Sequence, residues 1–292
     1  MGKVISMIKF TKMEGLGNDY VYIDCTEKSK EEIENISKLA NIISDRHFGV
    51  GSDGLILICR SDVADFKMQM YNQDGSQAQM CGNGIRCVGK YVYDKGLTNK
   101  SSIMVETLAG LKKLDLDIRN NKVESVTVNM GEPILKESLI PCIADIVIDN
   151  KEYSIPHVRL QVIDKEFDFT CVSMGNPHAI AIVDDVDNFD VEKYGKIVEC
   201  DKHFPQKTNV EFIEIIDKST IKMRVWERGS GETLACGTGA SATAVACVLN
   251  GLVDSEIDIK IKLLGGDLSI KWDRYVYMTG PARIAFEGEY YD

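Results

Sequence analysis

Two short segments of this chain are near copies of each other, and each has a cysteine at its centre. Asp74-Gly75-Ser76-Gln77-Ala78-Gln79-Met80-Cys81-Gly82-Asn83-Gly84 is matched by Arg228-Gly229-Ser230-Gly231-Glu232-Thr233-Leu234-Ala235-Cys236-Gly237-Thr238-Gly239. Lys67-Met68-Gln69-Met70-Tyr71 leads into the first and Lys222-Met223-Arg224-Val225-Trp226 into the second. The two lysines, like the two cysteines, stand 155 residues apart. Upstream, Asp45-Arg46-His47-Phe48 pairs with Asp201-Lys202-His203-Phe204, and Gly17-Asn18-Asp19-Tyr20 with Gly175-Asn176-Pro177-His178, in the same order and at nearly the same offset. A period this long lies outside the solenoid range. It requires two homologous halves.

A chain of 292 residues with 44% hydrophobic content is enough for two ordinary cores. A boundary is expected near Met130-Gly131-Glu132-Pro133, where a strand runs into turn residues. Local patterns predict a helix over 29–46, with Ser29 and Glu32 as a capping box and Ile33, Ile36, Ala40 and Ile43 on one face. A second helix is expected from Gly84 to near Gly96, carrying Ile85, Val88 and Val92 inward. A third, from Gly239 to about Gly251, is rich in Ala and Val and should be buried all round. Segments 55–59, 66–71, 123–130, 210–216, 221–226 and 257–263 show β-branched content or period-two alternation, and most of the remainder reads as strand. The expectation is an α+β fold, each half a sheet wrapped round one central helix that begins at glycines.

Each Cys-Gly-X-Gly sits directly before a helical pattern. A thiol at a helix start faces exposed N–H groups and the positive end of the dipole, which favour thiolate and lower its pKa from ~8.5. One such site suggests a nucleophile; two in matching positions suggest an acid–base pair. Packing alone would keep the glycines but has no need of cysteine in both copies. Cys25, Cys59, Cys87, Cys142, Cys171, Cys200 and Cys247 read as small core or surface residues.

Other chemistries fit less well. His47, His157, His178 and His203 show no metal-ligand spacing, and zinc would leave the glycines without a purpose. Gly49-Val50-Gly51-Ser52-Asp53-Gly54 is neither a dinucleotide fingerprint nor a Walker loop and reads as a turn into a strand. A net charge of −11 without a basic stripe argues against nucleic acid. Nine cysteines without C-x-x-C spacing, a start at Met1-Gly2-Lys3-Val4 without a long apolar stretch, and no membrane-length window lead to an expected cytoplasmic location. Asn18, Asn72, Asn176 and Asn209 each stand beside a turn; Asn18 and Asn176 are equivalent in the repeat, as are Asn72 and Glu227. An Asx turn is the plain reading of any one such asparagine. For Glu227-Arg228, solvent exposure and a substrate clamp are about equally plausible.

Gly15-Leu16-Gly17-Asn18-Asp19, Tyr71-Asn72-Gln73-Asp74-Gly75-Ser76, Met80-Cys81-Gly82-Asn83-Gly84-Ile85-Arg86-Cys87, Met174-Gly175-Asn176-Pro177-His178, Thr208-Asn209-Val210 and Glu227-Arg228-Gly229-Ser230-Gly231-Glu232-Thr233 with Ala235-Cys236-Gly237-Thr238-Gly239 together resemble the diaminopimelate epimerase family, among the pyridoxal-phosphate-independent amino-acid racemases and epimerases. The asparagine of Cys-Gly-Asn-Gly is more like the epimerases than proline racemases, which resemble Cys-Gly-His-Gly there. Some members carry glutamine where this chain has Gly54, so a side-chain contact is absent at that position.

The resemblance implies two pseudo-symmetric domains, 1–129 completed by 281–292 and 130–280, with the active site in the cleft between them. It implies inversion of one α-carbon of 2,6-diaminopimelate, between the LL and meso forms, with no cofactor and no metal. Cys81 and Cys236 are the implied catalytic thiols, with His178 and Glu227 orienting and tuning them. The α-carboxylate is expected against backbone N–H groups near Gly82, Asn83, Gly237 and Thr238, and the distal groups against Asn18, Asn72, Asn176, Asn209, Glu227 and Arg228. A homodimer and a place in lysine and peptidoglycan-precursor biosynthesis belong to the same implication. The rivals are a racemase for another amino acid, a pyridoxal enzyme with an unrecognised lysine, and a thiol-redox or binding protein in which Cys81 and Cys236 cycle through a disulfide.

Overall fold

The computed structural model describes residues 7–27, 35–149 and 152–291, so the Ser29/Glu32 capping box lies outside the described residues. The chain divides into two compact units, Met1–Val128 with Gly280–Asp292, and Asn129–Thr279.

The first unit contains β1 (Met7–Gly15), β2 (Asn18–Cys25), α1 (Ile36–Ser44), β3 (Gly54–Cys59), β4 (Phe66–Asn72), β5 (Gln77–Ala78), α2 (Gly82–Asp94), β6 (Ser102–Thr107), β7 (Gly110–Arg119) and β8 (Lys122–Gly131). β1 pairs antiparallel with β2, β2 parallel with β3, and β3 antiparallel with β4. β4 takes β5 antiparallel and β6 parallel; β6, β7 and β8 continue antiparallel. The free edge of β1 is covered by a strand from the far end of the chain, Arg283–Tyr291, which pairs antiparallel with it.

The second unit runs β9 (Ile146–Asp149), β10 (Ser154–Val162), β11 (Lys165–Ser173), β12 (Pro177–Ile182), α3 (Val191–Glu199), β13 (Asn209–Asp217), β14 (Thr220–Glu227), β15 (Gly231–Thr233), α4 (Gly237–Leu249), β16 (Ile259–Leu263), β17 (Gly266–Trp272) and β18 (Val276–Pro281). Its pairings repeat those of the first unit in order: β11–β12 antiparallel, β12–β13 parallel, β13–β14 antiparallel, β14–β15 antiparallel, β14–β16 parallel, then β17 and β18 antiparallel. β10, paired antiparallel with β11, takes the place that Arg283–Tyr291 fills beside β1. The repeat read in the sequence is thus a repeat of topology.

Each unit has two helices; both were expected in the first and only one, α4, in the second. α2 packs on β1, β2 and β7, and α4 on β11, β12, β13, β16 and β17, so these are the enclosed helices. α4 is buried from Ala240 to Cys247, in keeping with its all-apolar sequence. The second helix of each unit covers other strand contacts. α1 lays Leu39, Ala40 and Ile43 against Val21, Ile23, Leu55 and Leu57. α3 lays Val191, Tyr194 and Val198 into a cluster with Phe167, Phe169 and Phe212. Fully burying one such aliphatic or aromatic side chain contributes ~1.5–3 kcal/mol. α3 was not expected because it is short and carries Gly195 in its middle. Asp190 nevertheless caps it, accepting from the Lys193 N–H at 3.1 Å. α1 ends at Ser44, not Arg46, because Asp45 turns extended and its carboxylate accepts from the His47 and Phe48 N–H groups. The predicted strands are all present, lengthened or shortened by one or two residues at an end.

Candidate active site

Both motif cysteines are N-cap residues. Cys81 and Cys236 have extended backbones, and their sulfurs accept from the Gly84 and Gly239 N–H groups, each at 3.4 Å. α2 and α4 therefore start at Gly82 and Gly237, two residues before the predicted starts, because sulfur does the work that a serine or aspartate oxygen does elsewhere. A helix leaves its first N–H groups without intrahelical partners, so each thiol stands beside an anion-receptive helix end.

In the first unit, Asn18 is delivered by a tight hairpin. Leu16 and Gly17 both have positive φ, 59° and 83°, between paired Gly15 and Asn18, the two-residue turn that suits strand twist. The Cys81 thiol donates to Asn18 Oδ1 at 3.1 Å. The other end of that amide is fixed: Nδ2 donates to Asp53 Oδ2 at 2.7 Å, which also accepts the Asp19 N–H at 3.0 Å. Arg46 Nη2 bridges Asp19 and Asp53, at 2.8 Å to each, and Lys12 pairs with Asp19. Burial raises the Asp19 carboxyl, but Arg46 and Lys12 outweigh it and leave it below its ordinary value. Asp53 ends above its ordinary value because burial and the neighbouring Asp19 charge outweigh its hydrogen bonds. The Gly49–Gly54 segment is therefore more than a turn, since its Asp53 orients Asn18.

Other expected residues of this unit sit differently. The Asn72 side chain donates to Ser76 Oγ at 3.0 Å. The Asn83 carboxamide is buried and accepts from Arg86 Nη1 at 3.0 Å, so only its backbone suits the expected role. Gly54 lies opposite Asn72, and a Cβ there would fall 2.2 Å from the Tyr71 carbonyl oxygen; close strand approach excludes a side chain.

The second unit builds the matching place with different chemistry. Gly175, at φ +98°, turns β11 into β12 and sets Asn176 and His178 at the mouth of β12. His178 Nδ1 lies 2.7 Å from Glu211 Oε1, both side chains fully buried, and Nε2 lies 3.1 Å from Asn176 Oδ1. Asn176 Nδ2 donates to Thr238 Oγ1 at 3.3 Å, and Thr238 Oγ1 lies 3.4 Å from Cys236 Sγ. Glu227 accepts from the Thr233 hydroxyl. Burial pushes its carboxyl up, against the pull of the Thr233 hydroxyl, His178 and Cys236.

Asn209 spends both ends of its amide on the chain, donating to Pro177 O at 2.8 Å and accepting the Arg228 N–H at 2.9 Å. It fixes the backbone before Arg228, whose exposed side chain donates to Gln206 O at 3.0 Å. The structure thus joins Asn176, His178, Thr238, Cys236 and Glu227 in one place and Asn18 with Cys81 in another.

The sequence reading expects a lowered thiol pKa. For Cys236 the direction is reversed: burial, then Glu227 and Glu211, push it well above the ordinary thiol value, against the pull of Thr238 and the Gly239 N–H. Loss of solvation and two nearby carboxylates outweigh a helix end. Glu211 and Asp53 were not among the candidates. The available signal for Glu211 was a carboxylate interrupting the apolar run Asn209-Val210-Glu211-Phe212-Ile213.

Residues 10–136 and 170–285 match the diaminopimelate epimerase family. A diaminopimelate epimerase of Methanococcus maripaludis is 56% identical over 285 residues, 97% of this chain and 99% of the relative. The chain belongs to the diaminopimelate epimerase family. A diaminopimelate epimerase of Acetivibrio thermocellus is 57% identical over 97% of this chain and 98% of its own length. Among solved structures, a hydroxyproline epimerase from Agrobacterium vitis with bound trans-4-hydroxy-L-proline superposes with a TM-score of 0.66 at 14% identity, covering 98% of this chain and 92% of that one. A phenazine biosynthesis protein of the PhzF family from Bacillus anthracis gives 0.68 at 17%, covering 98% and 99%. At such identities the likeness is one of fold. Among the described residues no group of three or more His, Cys, Asp and Glu could hold a metal, and no helix is long and apolar enough to cross a membrane.

Proposed function

We propose that this member of the diaminopimelate epimerase family interconverts LL- and meso-2,6-diaminopimelate, without a cofactor, in lysine and peptidoglycan-precursor biosynthesis. The carrying observation is one cysteine at a helix N-cap in each of two units of the same topology. One sulfur, as thiolate, takes the α-proton; the other, as thiol, returns a proton to the opposite face of the carbon. Inversion needs both groups, because a single base returns the proton to the side it came from. The two halves of this reading are residues 1–129 completed by 281–292, and residues 130–280.

Charge on the α-carboxylate and the developing carbanion is met by the helix ends, through N–H groups of Gly82, Asn83, Gly237 and Thr238. A preorganised donor contributes ~3–4 kcal/mol to a transition state, so several acting together replace a pyridoxal sink. Cys81 and Cys236 are the catalytic residues; His178 and Glu227 position and tune them. Asn18, Asn72, Asn176 and Arg228 meet the distal ammonium and carboxylate, with Asn209 setting the Arg228 backbone. A short amino acid would leave those groups unpaired, about 1–3 kcal/mol for each. Cytoplasmic location and a homodimer complete the reading.

A substrate panel with the wild-type chain, Cys81→Ala and Cys236→Ala tests it. LL-diaminopimelate should turn over in strong reductant, histidine and proline should not, and either substitution should abolish net epimerisation. Turnover that requires oxidising conditions would favour a redox protein instead. A borohydride-sensitive chromophore on active protein would favour a pyridoxal enzyme.

A further inference from the structure

The internal duplication supplies its own control for one buried carboxylate. Glu211 stands two residues into β13 from Asn209, which pairs with His178; in the first unit Ile56 stands two residues into β3 from Gly54, which pairs with Tyr20. Both side chains fill the same slot against the first turn of the enclosed helix. A Cβ on Gly239 would meet Glu211 Oε1 at 2.6 Å, and a Cβ on Gly84 would meet Ile56 Cδ1 at 2.8 Å. The fold therefore accepts isoleucine there. In the half that holds Cys236 it carries a fully buried carboxylate instead, whose Oε2 makes no hydrogen bond to any described residue. Burying such a charge is costly unless something compensates it, and on one side only the compensation is His178.

The hydrogen bonds from this carboxylate run without a gap to the sulfur: Glu211, His178, Asn176, Thr238, Cys236. Their polarity is fixed by the acceptors. His178 faces a carboxyl oxygen of Glu211 with Nδ1 and an amide oxygen, which can only accept, with Nε2, so Nε2 carries a proton while Glu211 holds the other side of the ring. Asn176 then has only its N–H group to give to Thr238 Oγ1. The Thr238 hydroxyl hydrogen is left to point at Cys236 Sγ, where it stabilises thiolate. We propose that Glu211 is a positioning residue that sets the direction of this chain of hydrogen bonds, so that Cys236 keeps a hydroxyl donor for its ionised form. This rests on the reading of Cys236 as a reacting thiol.

The groups facing Cys236 are Glu227 from β14, Glu211 from β13, and Thr238 and the Gly239 N–H of α4, with His178 of β12 beside Glu227 and Glu211. Glu211 acts on the sulfur in two opposed ways. As a like charge it disfavours thiolate through space; through His178 it favours thiolate. The sign of a substitution separates them. In Glu211→Gln a carboxamide oxygen that accepts from Nδ1–H holds the neutral ring in the tautomer with no proton on Nε2. That nitrogen becomes an acceptor, the Asn176 amide turns over, and Thr238 donates to Asn176 rather than to sulfur.

The test is the pH dependence of iodoacetamide alkylation, read by peptide mass spectrometry at Cys236, with exposed Cys200 as the internal reference. It needs no substrate, so it stands apart from whether the chain acts on diaminopimelate. The expected result is a Cys236 midpoint raised by about one pH unit relative to Cys200 in Glu211→Gln. Glu211→Ile, which copies Ile56 of the other unit, should move the midpoint the same way and guards against a folding defect peculiar to glutamine. A midpoint that stays or falls in both variants overturns the proposal, a fall meaning that Glu211 acts only as a like charge.

Discussion

Cys87 and Cys247 lie inside the two enclosed helices, and burial pushes each thiol up to about 12. In the unfolded chain such a thiol ionises near ~8.5. Between those values the folded protein keeps protons that the unfolded chain has lost, so stability falls as pH rises. Below pH ~8 the contribution is intact; above it, each thiol costs roughly 1.4 kcal/mol per pH unit until its folded-state pKa is reached. Cys247→Ala should therefore shrink the loss of unfolding free energy between pH 8 and pH 10 by about 1–2 kcal/mol, measured by urea titration at both values. An equal loss in variant and wild type would show that Cys247 titrates normally. These thiols share their residue type with Cys81 and Cys236, yet they were separable in the sequence by the glycines that follow the reactive pair. The buried partners of Cys236 were not separable in that way. A glutamate within a strand shows its charge in the sequence but not the histidine it will meet from the next strand.

At the scale of elements, α3 is seated on β14 through an absent side chain. A Cβ on Gly195 would fall 2.5 Å from Trp226 Cβ and 2.7 Å from Cγ, and Trp226 Nε1 donates to Glu199 at 2.8 Å from the same helix. In an exposed helix, Gly→Ala stabilises by ~1 kcal/mol. Here overpacking of ~1–3 kcal/mol opposes it, so Gly195→Ala should lower stability or at best leave it level. A clear rise in the urea midpoint would contradict the packing. The enclosed helices were legible because glycines and apolar spacing mark them; their starts were misplaced by two residues because cysteine was not read as a cap. α3 was hidden by the same Gly195 that lets it dock. The register that sets Gly54 and Asn209 at equivalent places, one closed to a side chain and the other holding two backbones, becomes visible only when the strands pair.

For the whole molecule, a duplicated pattern of landmarks foretold a duplicated topology, and the strand pairings of the two units agree in order and direction. The strand that covers the edge of β1, Arg283–Tyr291, arrives from the far end of the chain; the family resemblance implied that return, while spacing and periodicity did not. Nor did they show how far the two halves have diverged in chemistry. Cys81 rests against an amide held by Asp53, while Cys236 rests among Glu227, Glu211 and Thr238. The central claim is that these unlike thiols act on one carbon as acid and base. Incubation of the protein with LL-diaminopimelate in deuterated water, followed by mass spectrometry and chiral separation, tests it directly. Meso product carrying one deuterium at the inverted α-carbon is expected, and no net inversion by Cys81→Ala or Cys236→Ala. Meso product without deuterium, or full inversion by either variant, would contradict it.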